Sequence, residues 1–213
     1  MAGELRVRWP HPPERFAAAA RTIASLAVRL DIPAVDVGGG FPPAPDERVY
    51  AQKLGGALGA VAFEGRLIVE PGRAIVGEAV DLACTVLAVK RLADGARCVV
   101  VDAGTDLIAG ALFRWPHLDV VGAKREPAES ALVIGPRTKH LDVLHPAARL
   151  PPVEEGDVLL IRRVGAYNQS ESTQFAEARA AVVARDGGRW RLCARRQTIE
   201  SLVAGDLGAP VEA

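Results

Sequence analysis

The hydrophobic pattern of this chain changes its period near residue 75, and this change constrains the fold more than any other feature. Before that point, apolar residues recur at helical spacing over residues 12–30 and again after Asp46. A short apolar strand follows each helix, at residues 34–37 and 66–69. Alternating helices and strands are typical of a parallel α/β barrel. The first part of the chain is therefore predicted to be α/β.

The helical spacing also predicts which side of each helix faces the core. In the first helix, the residues on one face are Phe16, Ile23, Leu26 and Leu30; in the second, they are Val49, Leu54, Leu58 and Val61. The first helix begins with prolines, which destabilise a helix little at its start because the N–H group that they lack would have no partner there. Asp46 can cap the N-terminus of the second helix.

Beyond residue 75 the apolar residues alternate at a period of two, which indicates half-buried β-strands. Strands are predicted near residues 80–88, 97–101, 131–134 and 157–164. A hairpin is predicted from strands 178–185 and 189–196 around Asp186-Gly187-Gly188, followed by a short helix from Thr198. The predicted fold class is α/β plus β, with residues 1–75 as a partial α/β barrel and residues 76–213 as a mostly antiparallel β domain.

Two loops, residues 36–42 and 70–73, each come directly after a short apolar strand of the first part. The glycines Gly38, Gly39 and Gly40 would let backbone N–H groups approach an anion, and a helix beginning near Asp46 would add partial positive charge. The second loop supplies the carboxylate of Glu70 and, with Gly72, the guanidinium of Arg73. Barrel folds hold phosphate in this way, so the loops predict an anion cradle.

The overall charge argues against two classes of partner. The chain has 26 basic and 26 acidic residues, so it lacks the electrostatic field expected of a nucleic-acid or membrane-surface binder.

The sequence contains no targeting or membrane signal that we recognise. No apolar run reaches the length of a bilayer span, and residues 1–11 lack the hydrophobic core of a secretory signal peptide. We therefore expect a cytoplasmic protein. The separated Cys84, Cys98 and Cys193 are predicted to be buried thiols. No metal site is predicted, because the four histidines lack metal-ligand spacing.

Several further motifs recur in a recognisable order. They are the two loops above together with Val99 to Gly104, Val133 to Pro136, Glu155-Gly156-Asp157, Gly165-Ala166-Tyr167 and Arg195 to Thr198. In this order they resemble the C-terminal half of the alanine-racemase-like, fold-type III decarboxylases that use pyridoxal 5'-phosphate (PLP). Among these, the diaminopimelate decarboxylases look most similar, followed by ornithine and arginine decarboxylases. The resemblance implies the C-terminal part of a (β/α)₈ barrel followed by a β-barrel or sandwich domain.

The resemblance also implies roles for individual residues. The PLP phosphate would be held by Gly38, Gly39, Gly40, Gly72 and Arg73, with a hydrogen bond from the Tyr167 hydroxyl. Glu70 would be the catalytic carboxylate at the pyridine nitrogen, where it keeps that nitrogen protonated and the ring able to accept electrons.

The Schiff-base lysine of the family has no visible counterpart. Lys53, Lys90, Lys124 and Lys139 do not lie at the start of a barrel, and a complete barrel needs on the order of 250 residues. We therefore expect a partner polypeptide that carries the N-terminal barrel half, in a heteromeric or dimeric assembly. Two alternatives stay open: the chain is a fragment, or it pairs with itself.

The substrate side departs from the family pattern. Where the resemblance implies a cysteine followed by an acidic residue, the chain has Arg137, Thr138 and Lys139. Positions that carry polar residues in the family are Ala109, Phe113 and Ala176 here, the last directly after Phe175. A basic substrate is then doubtful, and the expected substrate is an amino acid that is less polar or anionic, with Arg137 and Lys139 as candidates for binding a carboxylate or phosphate.

The resulting hypothesis is the C-terminal portion of a split PLP-dependent amino-acid decarboxylase. The alternative from another class is a non-catalytic, decarboxylase-like partner with a regulatory or scaffolding role. Racemisation or another elimination at the same cofactor is a third possibility.

Overall fold

The computed structural model describes residues 12–42, 45–112, 116–121, 129–175 and 177–204. The chain divides into two compact units, Met1–Asp81 and Leu82–Ala213. This division lies a few residues beyond the predicted boundary at residue 75. Each unit is described by itself below.

The first unit alternates helices and short strands, as the sequence pattern predicted. In chain order its elements are α1 (Pro13–Leu30), β1 (Ala34–Asp36), α2 (Glu47–Gly59), β2 (Arg66–Ile68) and α3 (Gly72–Val76). Strands β1 and β2 pair in parallel, with Val35 opposite Leu67. Asp46 caps α2 through its side chain, which accepts hydrogen bonds from the N–H groups of Arg48 and Val49.

The predicted core face of α1 is wrong for most of its length. Phe16 is buried, but Ile23, Leu26 and Leu30 are 37%, 49% and 65% exposed. The buried stripe consists instead of Phe16, Ala20, Ala24 and Ala27. Small side chains let α1 pack closely against α2. The buried residues of α2 are Tyr50, Leu54 and Ala57. The face predicted for α2 is right at Leu54, while Val49 is 36% exposed.

Three aromatic rings close the core of the first unit. The rings of Phe16 and Phe41 stack with centroids 4.2 Å apart, and Tyr50 meets the rings of Phe16 and Phe41 at 5.6 and 5.2 Å. Such contacts add to the burial of apolar area. Because Phe41 directly follows the glycines, this cluster fixes the exit of the glycine loop.

The second unit is built on a six-stranded sheet in the order β5-β8-β3-β4-β6-β7. Its strands are β3 (Leu82–Arg91), β4 (Arg97–Val101), β5 (His117–Val120), β6 (Glu129–Ile134), β7 (Val143–Leu150) and β8 (Val158–Arg162). Strands β4 and β6 are parallel, and the other neighbours are antiparallel. The sheet is therefore mixed. Its edge strands β5 and β7 contact each other, so the sheet is nearly closed. Its interior is filled by apolar residues that include Val99, Val133, Leu144, Leu159 and Ile161.

The predicted hairpin is confirmed as a separate antiparallel pair, β9 (Val182–Asp186) and β10 (Arg189–Ala194). Gly187 and Gly188 make the turn with φ values of 51° and 83°, which glycine adopts without strain. Helix α4 (Ile199–Val203) begins with a capping box formed by Thr198 and Ser201.

Two of the three cysteines are buried, as predicted. The thiols of Cys84 and Cys98 are buried, and burial raises the pKa of Cys84 to about 12, so this thiol stays protonated. The prediction is wrong for Cys193, which is exposed on β10. Within the described ranges, no helix combines the length and the apolar character needed to cross a membrane.

Candidate cofactor site

The two loops predicted to form an anion cradle meet in the first unit. The parallel pairing of β1 and β2 brings their C-terminal ends to the same edge, where the N–H of Val37 donates to the carbonyl of Ile68 at 3.1 Å. One step further, the N–H of Glu70 donates to the carbonyl of Gly38 at 2.9 Å. The glycine loop and the loop that carries Glu70 are therefore joined through their backbones.

The glycines have the conformations and space that this junction requires. Gly38 and Gly40 have φ values of 68° and 100°, in the region that favours glycine. Gly39 lies so close to the second loop that an added Cβ would be 2.7 Å from the carbonyl oxygen of Glu70. By contrast, a Cβ at Gly38 or Gly72 would meet nothing within 4 Å.

The backbone donors of the glycine loop are only partly used. The N–H of Gly38 donates to Oδ1 of Asp36 at 2.8 Å. In the described part of the chain, no acceptor takes the N–H groups of Gly39 or Gly40. At the start of α2, the Asp46 carboxylate takes the N–H groups of Arg48 and Val49 at 3.1 and 3.3 Å. The N–H groups of Gly39 and Gly40 are therefore available to a ligand.

The charged side chains of the second loop differ in exposure. Glu70 is exposed, while Arg73 on α3 is half-buried. The N–H of Gly72 donates to the carbonyl of Glu70 at 2.9 Å, and the N–H of Gly77 donates to that of Arg73 at 2.9 Å. These bonds hold a carboxylate and a guanidinium on one short turn, next to the glycine loop.

Tyr167 lies in the second unit, in a conformation that is uncommon for a bulky residue. Its φ is 69°, and its side chain is 52% exposed. The carbonyl of Tyr167 accepts hydrogen bonds from Oγ of Ser170 and the N–H of Glu171, each at 2.8 Å. The next residue, Asn168, is buried and accepts the N–H of Gly110 at 2.8 Å.

A buried ion pair holds the loop that carries the predicted substrate residues. Nη2 of Arg137 donates to Oδ2 of Asp106 at 2.9 Å, and the two side chains are 5% and 3% exposed. Nη1 of Arg137 also lies 3.4 Å from Oε1 of Glu177. Within the described residues, the buried Oδ1 of Asp106 and Nε of Arg137 have no hydrogen-bond partner. The charge of Arg137 is thus balanced inside the protein.

Asp142 is a second buried carboxylate in this loop. It accepts the N–H and Oγ1 of Thr105 at 2.7 and 3.2 Å and the N–H of Arg137 at 2.9 Å. The space around it exists because Gly104 and Gly135 lack a Cβ, which would lie 2.6 and 2.2 Å from its carboxylate oxygens. Sequence reasoning missed Asp106 and Asp142, since Arg137 lies 31 residues from Asp106 and Thr105 lies 37 residues from Asp142.

The exposed part of this loop presents a cation over a ring. Nζ of Lys139 lies 3.8 Å from the centre of the Phe175 ring, and Thr138 and His140 beside it are exposed. Ala109 is buried in a short 3₁₀ turn. Phe113 and Ala176, also singled out in the sequence, lie outside the described residues. Among the residues described, no three His, Cys, Asp or Glu side chains are grouped so that they could hold a metal ion.

Comparison with known families shows which family this chain belongs to. Residues 24–165 match the family model described as "Pyridoxal-dependent decarboxylase, C-terminal sheet domain". The chain belongs to this family of pyridoxal-dependent decarboxylases. The predicted resemblance and the predicted cofactor class, PLP, are thereby confirmed.

Curated relatives within the family are diaminopimelate decarboxylases. The enzyme of Neisseria meningitidis serogroup B is 37% identical over 182 residues, which cover 81% of this chain and 43% of that protein. The enzyme of Archaeoglobus fulgidus is 33% identical over 195 residues, covering 85% of this chain and 46% of that protein. The chain therefore spans somewhat less than half the length of these relatives.

Solved structures of diaminopimelate decarboxylases are also similar to this chain. A diaminopimelate decarboxylase from M. jannaschii superposes with a TM-score of 0.84 at 26% identity, covering 96% of this chain and 51% of that one. The Helicobacter pylori enzyme complexed with L-lysine superposes with a TM-score of 0.77 at 27% identity, over 92% and 51% of the two chains. The chain thus shares the fold of the part of these enzymes that it covers.

Proposed function

We propose that this chain is the C-terminal portion of a PLP-dependent decarboxylase that acts on an amino acid at its α-carbon. The observation that carries this proposal is the backbone junction between Gly38 and Glu70, because it sets two unused N–H donors beside a carboxylate and an arginine. The family to which the chain belongs uses the cofactor that such a group of side chains would suit.

The residues of the first unit fit the phosphate and the ring nitrogen of PLP. The N–H groups of Gly39 and Gly40 and the guanidinium of Arg73 would hold the phosphate. Gly38 and Gly72, whose N–H groups are bonded within the protein, would shape the two loops around it. The Glu70 carboxylate would accept a hydrogen bond from the protonated pyridine nitrogen and keep its proton in place. When bound, PLP supplies an electron sink for the pair released as the carboxylate leaves the α-carbon.

Tyr167 would donate its hydroxyl to the cofactor phosphate. Its backbone conformation supports a functional role, because a bulky residue at a φ of 69° costs free energy and persists where its surroundings fix it. Here the hydrogen bonds to its carbonyl and the buried Asn168 beside it hold that conformation.

The lysine that would carry PLP is proposed to come from a polypeptide segment outside these 213 residues. Two features of the first unit support a completing segment. In the described residues, β1 and β2 form a parallel sheet of two strands, although parallel sheets are normally buried on both faces. Helix α1 also exposes Ile23, Leu26 and Leu30. We propose that a second chain supplies the missing barrel half and forms a heteromer with this one.

Native purification followed by reconstitution tests this proposal. The tagged chain should purify with a polypeptide that contains a barrel segment with a lysine on an early strand. The reconstituted complex should bind PLP, gain its visible absorbance and release CO₂ from an amino acid. A monodisperse monomer that binds no PLP, or a complex without PLP absorbance, would contradict it.

A non-catalytic, decarboxylase-like partner is the second candidate, and the Arg137 loop favours it. Thr138 is a far weaker acid than the thiol expected from the family resemblance, so it is a poorer proton donor. The charge of Arg137 is already neutralised by Asp106. This candidate predicts that the assembled complex retains PLP but releases no CO₂ from any of the common amino acids.

A further inference from the structure

Lys139 is held over an aromatic ring at the surface of the second unit. Its Nζ lies 3.8 Å from the ring centre of Phe175, which is 44% exposed. A cation at this distance is attracted by the face of the ring. The ring thus limits where the ammonium group can go, although Lys139 itself is exposed.

Both members of this pair depend on one buried residue, Asp106. Its side chain binds the guanidinium of Arg137, two residues before Lys139. Its backbone carbonyl accepts the N–H of Thr173 at 2.9 Å, two residues before Phe175. Asp106 therefore links the segment that carries the cation to the segment that carries the ring.

Asp142 closes the other end of the loop. Its N–H donates to the carbonyl of Lys139 at 3.0 Å, and its carbonyl accepts the N–H of Gly135 at 3.0 Å. Its carboxylate accepts the N–H of Arg137. The backbone at Lys139 is thus fixed on both sides, so a ligand that binds there does not have to order the loop.

The charges around the loop leave Lys139 as an uncompensated cation. Arg137 faces Asp106 and Glu177. Lys139, in contrast, has no carboxylate within ion-pair distance among the residues described. An acidic ligand group would be attracted to this ammonium, and a second ammonium would be repelled. The exposed hydroxyl of Thr138 and the imidazole of His140 lie beside it in sequence.

We propose that Lys139, on the platform formed by Phe175, is the specificity-determining residue for a distal carboxylate of the substrate. This inference rests on the proposed function and narrows it. The substrate class is an aliphatic amino acid whose side chain ends in a carboxylate and carries no second ammonium. Asp106, Arg137 and Asp142 are positioning residues for Lys139.

The test uses the four lysines of the chain as reporters. After ¹³C-dimethylation, which keeps the charge, each lysine gives its own NMR signal. Titration with glutarate should shift the Lys139 signal and leave that of Lys90 in place. Titration with 1,5-diaminopentane, which has the same length and the opposite charge, should give an apparent affinity at least about tenfold weaker.

Substitutions assign the effect to the side chains. In these variants binding is read from the backbone amide signals of Thr138 and His140, which do not depend on the lysine. Lys139→Met should remove glutarate binding, Lys139→Glu should reverse the preference towards the diamine, and Phe175→Leu should weaken glutarate about two- to fivefold. Lys90→Met is the matched control, because Lys90 is an exposed lysine on β3 and should not affect binding.

The outcome is separable from that of the proposed function, since the titration contains no PLP. Unchanged glutarate binding in Lys139→Met, or no shift at the Lys139 signal, overturns the inference even if the assembled complex retains PLP. A complex that fails to retain PLP overturns the proposed function, whatever the titration gives.

Discussion

Gly39 packs directly against the backbone carbonyl of Glu70, leaving 2.7 Å between that oxygen and the place a Cβ would occupy. With the hydrogen bond from the N–H of Glu70 to the carbonyl of Gly38, this contact makes the two loops a single structural element. The glycine run is thus more than a turn, because the position of the carboxylate loop depends on it.

Substitution of Gly39 should therefore separate the loops. Because the atom that Gly39→Ala would meet belongs to the backbone, the clash must be relieved by movement of one loop. We expect a loss of about 1–3 kcal/mol in the free energy of unfolding of the first unit. Chemical denaturation, with amide hydrogen exchange read in α1, measures this loss.

Gly55→Ala is the matched control for that experiment. A Cβ at Gly55 meets nothing within 4 Å, and Gly55 lies inside α2. Alanine should stabilise the helix by about 0.5–1 kcal/mol. Equal effects of the two substitutions would contradict the packing described for Gly39.

Asp142 is predicted to be a large contributor to the stability of the second unit. Asp142 is buried, and Asp142→Ala leaves the partly buried N–H groups of Thr105 and Arg137 without their acceptor. The expected loss is roughly 2–4 kcal/mol, measured by urea denaturation. Asp94→Ala, which removes one exposed turn contact to Ala96, should cost much less. A loss at Asp142 as small as that at Asp94 would refute the prediction.

The buried pair of Asp106 and Arg137 should behave differently from a surface pair. Arg137→Met alone leaves the Asp106 charge buried without its partner, which costs about 3–5 kcal/mol. Asp106→Leu combined with Arg137→Met should cost less than the worse single substitution. A double-mutant cycle on unfolding free energies measures this.

The exposed pair of Arg91 and Glu129 is the control for that cycle. Substitution of either residue should change stability little, because solvent screens the pair. Additive costs at Asp106 and Arg137 would show that the buried pair is not coupled.

His145 should make the protein less stable in mild acid. Burial lowers the pKa of His145, and the neighbouring His117 lowers it further. The unfolded chain then takes up the proton first, so the stabilising contribution is complete above about pH 6.5 and is lost as the pH falls through the folded pKa. His145→Gln should reduce the stability lost between neutral and mildly acidic pH, as measured by denaturation across that range. An unchanged loss would refute this.

Local signals in the sequence were reliable where the structure depends on neighbouring residues. The cap at Asp46, the turn at Gly187 and Gly188 and the short helix from Thr198 could all be predicted. The face of α1 could not, because both a leucine-containing stripe and an alanine stripe fit helical spacing. Close packing against α2 selected the alanines, and this choice is made by tertiary structure.

The candidate site was predictable to a similar degree. The junction of the two loops follows from strand ends that meet at one edge of a parallel pair. The partners of Arg137 could not be predicted, because Asp106 lies 31 residues away with no spacing rule to connect them. The strands at His117 and Val143 were also missed; β7 contains Pro146, which an edge strand tolerates.

Retention of PLP by the assembled complex tests the central claim most directly. The complex is loaded with PLP, passed through gel filtration and assayed for bound cofactor by absorbance and phosphate content. We expect stoichiometric PLP in the wild type and its loss in Arg73→Ala and Gly39→Ala, with Lys90→Met unchanged. Equal retention in all four proteins would contradict a phosphate site at the glycine loop.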